Sequence, residues 1–334
     1  SVFGVAGVMC SMTIVAVSFA SGNFGPRLIG NFMRDRGNQW SLGILVATFV
    51  YALLITRAVR GGADDLEFVP HISLGLAIIL NFVSVVTVVF FVHHIPEMIN
   101  VSNITADLGN RLTAAVRSLV EAQADDDEGM PSELPDRDPD SAISLETEGY
   151  VQTLNKVRLE EIAREERYQM EVVCPPGNFV SSYRPVIRVW GGTPDEQVRR
   201  QIRSCFAVGH SKTEHQNLLF IAEQLVEMIG RALSPGINDP FTAINCLNWL
   251  CAGSLAGANH KGGLAGFDTG LVHIKPVTFL SILEHGFGAA FHYVKTDPLT
   301  LEHFEALMKQ MRSDLKHERD RQTLDDFQDS LDRD

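Results

Sequence analysis

The sequence predicts a membrane module of α-helices followed by a cytoplasmic α+β domain, and three observations predict it. Three apolar segments occur in the first hundred residues, at about 2–20, 42–59 and 72–92. Charge is divided unevenly, because residues 1–100 carry five basic and five acidic side chains whereas residues 101–334 carry 23 basic and 36 acidic ones. From residue 149 onward, short alternating segments and then amphipathic segments indicate strands and helices.

Each of the three apolar segments is long enough to cross a bilayer. The hydrocarbon core is about 30 Å thick and requires ~20 apolar residues at the helical rise. The central part of each segment lacks Asp, Glu, Lys and Arg, which are the residues that proton relays and voltage sensors use. Three buried helices of a soluble protein would instead need a very large core. We therefore expect an integral membrane protein with the lipid bilayer as a partner.

Charges in the two connecting segments predict the orientation of the spans. The first connection carries three arginines against one aspartate, and the second carries two arginines against three acidic residues. Basic connections tend to remain on the cytoplasmic side. We therefore expect the first connection and the C-terminal domain in the cytoplasm, beneath a bacterial inner membrane. Residue 1 then falls outside, which leads us to expect a further span upstream and four in all.

Small and polar side chains mark possible packing faces within the spans. Gly7 and Ser11, and again Ser18 and Gly22, are four residues apart and so share a helix face. Such residues let helix backbones approach closely in lipid. Asn81 lies in the middle of the third span, where an amide must find a hydrogen-bonding partner. These five residues are candidates for a pore lining or for a helix-packing face.

Residues 101–148 are predicted to contain a helical connector and an acidic linker. A polar amphipathic segment at about 97–122 continues from the third span. Residues 121–148 carry eleven acidic side chains, one arginine and three prolines, with few apolar side chains. A segment of that composition cannot bury enough apolar surface to order itself, so we expect a mobile linker or loop there.

A small β-rich domain is expected over residues 149–192. Short alternating segments are separated by Pro-Gly and Gly-Gly turns, a pattern typical of a small barrel or sandwich. The predicted strands are 149–152, 168–173, 179–180 and 186–190, with a charged helix at 154–167. The segments that begin at Gly149 and Gly177 could pair with each other.

Residues 193–334 are predicted to form a mainly helical domain. Apolar residues at helical spacing between capping residues support this prediction. The expected helices are 195–203, 215–233, 240–251, 277–293 and 298–328, with a short strand at 205–209 and a Gly-rich loop at 253–270.

The turn that joins two of these helices is the most distinctive feature of the predicted soluble domain. Asp239 is expected to cap the following helix, with Pro240 in its first turn. A helix N-terminus can also bind an anion through its free N–H groups. Because Asp239 already supplies a negative group there, the sequence favours a structural turn over an anion site. The candidate residues for either role are Arg231, Ser234, Asn238 and Asp239.

The sequence contains no motif of the enzyme classes that we considered. It lacks a Walker phosphate loop, a GxSxG elbow and an HExxH zinc motif. Five cysteines without a CxxC pair argue against a disulfide framework or a structural zinc site. The pairs His93-His94 and His210–His215 have poor spacing for chelation on one helix face. We expect no enzyme, cofactor or metal ion, and the acidic charge argues against nucleic acid as a partner.

Five strings of sequence occur in an order that resembles a known family. They are SFASGNFGPRL from Ser18, FVPHIS from Phe68, VHHI from Val92, GYVQ from Gly149 and ALSPGINDPFTA from Ala232. The chain resembles the predicted bacterial membrane proteins called domain of unknown function 2254. The resemblance implies about four spans and a cytoplasmic C-terminal region, and it implies no activity or site residue. The chain departs from the family pattern at 211–217, SKTEHQN, where Arg-Thr and Gln-Asp pairs are common.

The predicted architecture favours a homo-oligomeric channel or transport-type protein whose cytoplasmic domain assembles or gates the pore. One subunit with so few spans cannot easily enclose a water path, and closed symmetry is the usual arrangement of homo-oligomers. The alternative is a membrane-anchored scaffold or sensor without transport activity. A membrane-bound hydrolase is a third possibility that depends only on scattered histidines.

Overall fold

The computed structural model describes most of the chain and divides it into two compact units. The N-terminal unit comprises Ser1–Ile104 and the C-terminal unit comprises Thr105–Asp334. The N-terminal unit is α-helical, and the C-terminal unit combines α-helices with two β-sheets. The described residues are 2–25, 35–59, 70–124, 134–258, 264, 266–331 and 333.

Three long helices build the N-terminal unit. They are α1 (Val2–Phe24), α2 (Arg36–Ala58) and α3 (His71–Met98). All three are long and apolar enough to cross a membrane, which confirms the three predicted apolar helices. The charged connections on which the predicted orientation depends, 26–34 and 60–69, lie outside the described residues.

The start of α2 lies six residues before the predicted bound, because a side chain caps it there. Asp35 precedes the helix, and its Oδ1 accepts a hydrogen bond from Asn38 N at 2.7 Å. The first turn of α2 contains polar residues, and a prediction that is based on hydropathy does not count such residues as part of a span. The buried residues of α2 are spaced three, four, three and seven apart: Asn38, Ser41, Leu45, Thr48 and Ile55. This spacing places them on one face, toward the other helices.

The core of the N-terminal unit is small. Among the described residues, its one hydrophobic cluster consists of four buried side chains, Ala6, Met9, Leu45 and Phe91. Most other large apolar side chains of the three helices are exposed. Helices in lipid need not bury their apolar side chains, since lipid tails are as apolar as leucine. The exposed apolar surface is therefore the expected outer surface of a membrane module.

The strands of the C-terminal unit form two sheets, with strand orders β1-β5-β3-β8-β7 and β4-β2-β6. Neither described sheet closes on itself, so the barrel alternative of the predicted small barrel or sandwich is wrong. The strands are β1 (Ser141–Ser144), β2 (Gly149–Leu154), β3 (Gln169–Val172), β4 (Phe179–Val180), β5 (Pro185–Trp190), β6 (Phe206–Gly209), β7 (Phe267–Asp268) and β8 (Val272–Ile274).

Residues from both sheets share one hydrophobic core with two short helices. These helices are α5 (Lys156–Glu166) and α6 (Glu196–Ser204). The expected pairing between the Gly149 and Gly177 segments is confirmed, because β2 and β4 are antiparallel with Gly149 opposite Val180. Gly149 has φ of 149° and Gly177 has φ of 97°, conformations that favour glycine.

Strand β1 lies in the segment for which we expected a mobile linker or loop. It pairs with β5 in antiparallel register, and Ile143 is fully buried. Composition alone does not predict this strand, because its four residues lie within a segment that is rich in acidic residues. The prediction of a linker was therefore wrong at 141–144, while residues 125–133 lie outside the described residues.

Helices make up most of the rest of the C-terminal unit. They are α4 (Val101–Ala124, which begins in the N-terminal unit), α7 (Leu218–Ala232), α8 (Pro240–Gly257), α9 (Phe279–Leu283), a π-helical turn (Glu284–Gly288), α10 (Ala289–Val294), α11 (Pro298–Asp314) and α12 (Glu318–Leu331). The single helix predicted for 298–328 is wrong, because Leu315 is extended, with ψ of 129°, and separates α11 from α12.

Glycines allow α4 and α8 to pack closely along their lengths. A Cβ at Gly109 would lie 2.3 Å from the Trp249 ring, and one at Gly253 would lie 2.4 Å from Leu112 Cδ2. At the start of both helices, Asn245 Nδ2 donates to Thr105 Oγ1 at 2.7 Å. In these three contacts the residue number rises along α4 as it rises along α8, so the two helices run in the same direction.

Candidate functional site

The first candidate surface is the outer face of α1, where the sequence predicted small residues. Gly7 and Ser11 line a cleft of about 790 Å³ between α1 and α3. Ser11 Oγ donates to Gly7 O at 3.0 Å, within its own helix. Apart from the adjacent residues and the nearby backbone of α1 itself, no described atom lies within 4 Å of the position that a Cβ would take at Gly7 or Gly22. The structure therefore leaves this small-residue face open to a neighbouring molecule.

Ser18 and Gly22 do not share the cleft with Gly7 and Ser11. Both residues are exposed, and neither lines a described cavity. The cleft continues instead along α3 to Pro96 and Ile99. The structure thus brings two of the four predicted small residues together and leaves the other two on open helix surface.

Asn81 lies near the middle of α3 with an exposed side chain. It lines a second cleft of about 320 Å³ together with apolar residues of all three helices and with Ser84. Its side chain has a hydrogen bond to none of the residues that the structure describes. In a bilayer, an amide without a partner is costly. Asn81 is therefore the residue of the spans that most requires a partner from another helix.

The polar side chains inside the helix bundle are already paired with one another. Ser84 Oγ donates to Thr48 Oγ1 at 3.1 Å, and Thr13 Oγ1 donates to Asn38 Oδ1 at 3.2 Å. From the sequence we singled out Asn81 but missed Asn38, Thr48 and Ser84. The three-four spacing of polar and apolar residues on α2 is the signal that could have identified this inner face.

An acid and a histidine join the ends of α2 and α3. His94 Nε2 lies 2.9 Å from Asp35 Oδ1, and the His94 ring stacks on Phe90 at 5.0 Å between centroids. Gly37 permits the approach, because a Cβ there would lie 2.7 Å from His94 Nε2. From the sequence we considered His93-His94 only as a metal-binding pair and did not identify this partner, which lies 59 residues away.

The turn between α7 and α8 is held by its own hydrogen bonds. Asp239 is the N-cap of α8, as predicted, and accepts from Thr242 N at 3.1 Å. Ser234 Oγ donates to Arg231 O at 2.6 Å, and Asn238 adopts φ of 50°. Arg231 Nη2 lies 3.6 Å from Glu227 Oε1. Each of the four candidate residues is therefore bonded to, or paired with, another group of the turn or of its two helices.

The segment 211–217 is attached to three elements of the C-terminal unit. Glu214 accepts two hydrogen bonds from Arg111 Nη1 of α4, at 2.9 and 2.8 Å. Lys212 Nζ donates to both carboxylate oxygens of Glu223 in α7 at 2.7 Å. Gln152 of β2 donates to Ser211 O at 2.9 Å. These contacts give the segment a structural role that its sequence alone does not indicate.

Among the described residues of the C-terminal unit, the cysteines and histidines belong to no group of three or more side chains that could hold a metal ion. His210 and His215 are exposed, whereas Cys205 is buried and its thiol faces Gln201 O at 3.5 Å. Burial raises the pKa of Cys174 and Cys205, and it raises the pKa of Cys251 to about 11. Thiols with raised pKa are poor nucleophiles at neutral pH, since the thiolate is the reactive form.

The chain is similar to uncharacterized proteins of two mycobacteria. Two uncharacterized proteins, from Mycobacterium tuberculosis and Mycobacterium bovis, are each 29% identical to the chain over 253 residues. The match covers 74% of the chain and 48% of each relative, so the chain spans about half the length of the curated relatives that it matches. No solved structure matches significantly.

A family model described as a predicted membrane protein, DUF2254, matches residues 1–310. This match covers all three apolar helices, both sheets and most of α11. The resemblance noted in the sequence is thereby confirmed. The chain belongs to the DUF2254 family of predicted membrane proteins.

Proposed function

We propose that the protein is a homo-oligomeric membrane protein of the channel or transport type, and Asn81 carries the proposal. An amide at mid-span that lacks a partner among the described residues is satisfied if it meets an equivalent residue or a water path. In a closed ring of subunits, the second cleft would face the neighbouring copy or the axis. Asn81 would then supply a polar group to a pore that is otherwise apolar.

The open face of α1 supports the same proposal. Gly7 and Ser11 leave the larger cleft unfilled, and a helix from a second copy could approach closely there because neither residue has a large side chain. Helix association in lipid depends on such packing and on interhelical hydrogen bonds. The larger cleft thus provides a surface for close helix packing, and the second cleft provides Asn81 for an interhelical hydrogen bond.

The proposal assigns no catalytic step, metal ion, cofactor or nucleic acid partner to the protein. The buried thiols support this assignment, since their raised pKa disfavours nucleophilic chemistry.

The proposal also assigns the C-terminal unit to the cytoplasm of a bacterium and the spans to its inner membrane, from the positive-inside bias. A membrane-impermeant maleimide should label Tyr183→Cys in inverted vesicles and not in spheroplasts; the reverse result would refute this orientation.

Ion flux through reconstituted protein tests the channel proposal. We expect the full chain in liposomes to pass ions and Asn81→Leu to reduce both the flux and the oligomer fraction at least tenfold. Asn81→Gln should keep both, because it retains the amide. Phe82→Leu is the matched control, since Phe82 is the exposed neighbour on α3 and carries no polar group. Equal flux from Asn81→Leu and the wild type would refute the role of Asn81.

A membrane-anchored scaffold or sensor is the second candidate, and the paired inner side chains favour it. The Thr48–Ser84 and Thr13–Asn38 hydrogen bonds close the polar face of the bundle on itself. Within its described residues, a single N-terminal unit therefore offers no polar path along this face. Absence of flux from the wild type at any lipid composition, with oligomers intact, would favour this candidate.

A further inference from the structure

Two helices of the C-terminal unit begin with the same pattern of residues. The chain reads Asp-Pro-Phe-Thr at 239–242, where α8 begins, and Asp-Pro-Leu-Thr at 297–300, where α11 begins. Asp297 Oδ1 accepts from Thr300 N at 2.8 Å and from Thr300 Oγ1 at 2.6 Å. Asp239 makes the equivalent bonds to Thr242, at 3.1 and 2.5 Å. In each motif the first and fourth residues are thus hydrogen-bonded to each other, and the third residue, Phe241 or Leu299, takes no part in these bonds.

The apolar third residue of each cap is exposed. Phe241 is 72% exposed and Leu299 is 44% exposed. The adjoining turns add Ile237, which is 38% exposed, and Tyr293, which is 42% exposed. We refer to Ile237, Phe241, Tyr293 and Leu299 as the cap patch. Single exposed apolar residues are ordinary, but a group of four on neighbouring segments indicates an interaction surface.

Contacts between the helices bring these four residues to one end of the helical layer. A Cβ at Gly230, in the last turn of α7, would lie 2.9 Å from Tyr293 Cζ. The chain then turns tightly into α11, because Thr296 N and Asp297 N donate to the carbonyls of residues 293 and 294. The end of α7 is joined to the start of α8 by Asp239 N, which donates to Ala232 O at 2.8 Å. The starts of α8 and α11 therefore lie on the same side as Tyr293.

Together with the contacts at the start of α11, one contact further along indicates that α8 and α11 run in the same direction. His303 Nε2 lies 2.8 Å from Asn248 Oδ1. These residues lie five positions into α11 and eight positions into α8. If the two helices ran in opposite directions, this contact would place the start of α11 beside the end of α8, away from the end of α7 against which Tyr293 packs.

The charge of this end differs from that of the rest of the chain. Residues 101–334 carry 36 acidic against 23 basic side chains, yet Asp239 and Asp297 are the only carboxylates in segments 231–241 and 292–299. Both carboxylates are engaged as caps. Lys295 is exposed beside the patch and lies 5.9 Å from the Phe291 ring centroid. The patch is apolar, a lysine lies beside it, and the two nearby carboxylates accept hydrogen bonds from their own helices. Such a surface is compatible with a layer of phosphate headgroups.

We propose that the cap patch inserts into the headgroup region of a phospholipid bilayer. Phenylalanine, leucine and isoleucine favour the boundary between headgroups and acyl chains, and tyrosine is enriched at that depth. Lysine beside such a patch can direct its ammonium group to the phosphates while its stem covers apolar surface. The chain belongs to a membrane-protein family and carries three apolar spans, so a bilayer is the partner that it always meets. The proposal is independent of ion transport.

Fluorescence of a single labelled residue tests this proposal in the full chain. Cys10→Ser removes the exposed cysteine and leaves four buried ones. Phe241→Cys, labelled with a nitrobenzoxadiazole fluorophore, is then reconstituted in phosphatidylcholine vesicles with and without lipids spin-labelled near the headgroup. We expect the spin-labelled lipid to quench this fluorophore at least threefold more than one at Tyr183→Cys, a residue 92% exposed in the β region.

Three outcomes decide the proposal. Strong lipid quenching at Phe241→Cys, repeated at Leu299→Cys, supports it, and the second position guards against misfolding of the first variant. Equal and weak quenching at residues 241, 299 and 183 overturns it. A fluorophore that is shielded from water but not quenched by lipid overturns it as well, because the patch would then contact protein, such as a second copy. Flux measurements on the same vesicles report the channel proposal separately.

Discussion

Replacing Gly109 by alanine should destabilise the C-terminal unit although alanine is the better helix former. Inside a helix, alanine is favoured over glycine by about 1 kcal/mol. At this position, however, the new Cβ would lie 2.3 Å from Cδ2 and Cε3 of Trp249. Carbon atoms in contact are separated by about 3.5–4.0 Å, so the ring would have to move by more than about 1 Å.

The size of the effect follows from the rigidity of the obstacle. Adding a methyl group to a packed site costs about 1–3 kcal/mol. We expect the upper part of this range, since two fused rings cannot rotate away as the end of a flexible side chain can. After the gain in helix propensity, the net loss is about 1–2 kcal/mol. For a unit of this size, the midpoint of thermal unfolding should fall by about 2–8 °C.

Thermal unfolding of the detergent-solubilised protein, followed by circular dichroism, measures this change. Gly236→Ala is the matched control, because nothing lies within 4 Å of its Cβ position, and it should change the midpoint little. The double variant Gly109→Ala with Trp249→Leu should recover part of the loss, since the ring is gone. A higher midpoint for Gly109→Ala alone would refute the close packing of α4 on α8.

Three further predictions concern single side chains of the C-terminal unit. Asp239→Ala should lower the stability of this unit by about 1–2 kcal/mol in chemical denaturation, because the cap of α8 is lost; Asp239→Asn should lower it less. The Arg137 guanidinium and the Gly191 N–H hold the pKa of Asp140 below its ordinary value of 3.8. The stabilisation is therefore present above that pKa and lost as the pH falls through the lower folded-state pKa, so Asp140→Asn should flatten the acid limb of a stability–pH profile. Cys246 and Cys251 are buried with raised pKa; at pH 8 they should react with maleimide only after denaturation, as counted by mass spectrometry, and reaction of either thiol in the native protein would contradict their burial.

The spans were predictable because the signal for a membrane helix is contained in one continuous segment. Their ends were less predictable, since α2 begins with polar residues whose role depends on Asp35 and on the neighbouring helices. The extra residues at the end of α3 include His94, whose partner Asp35 is 59 positions earlier in the chain. A pairing at that separation leaves no local pattern in the sequence.

In the C-terminal unit, helices with caps and strands β2 to β6 were predictable, whereas strands β1, β7 and β8 were not. Asp239 and Pro240 indicate the start of α8 because capping chemistry is local. Strands β7 and β8 contain two and three residues, too few to show alternation, and they lie in or beside the predicted Gly-rich loop. Asn81 could be selected from its depth in a span, but its lack of a described partner depends on how the other helices pack.

The parallel pairing of β3 with β8 has a consequence for biosynthesis. Met170 lies beside Val272, about a hundred positions later in the chain. While a ribosome is still making the intervening helices, one edge of β3 stays without its neighbour and can template contacts with other nascent polypeptides. A truncated product that ends before residue 272 should therefore form inclusion bodies rather than a shorter folded protein.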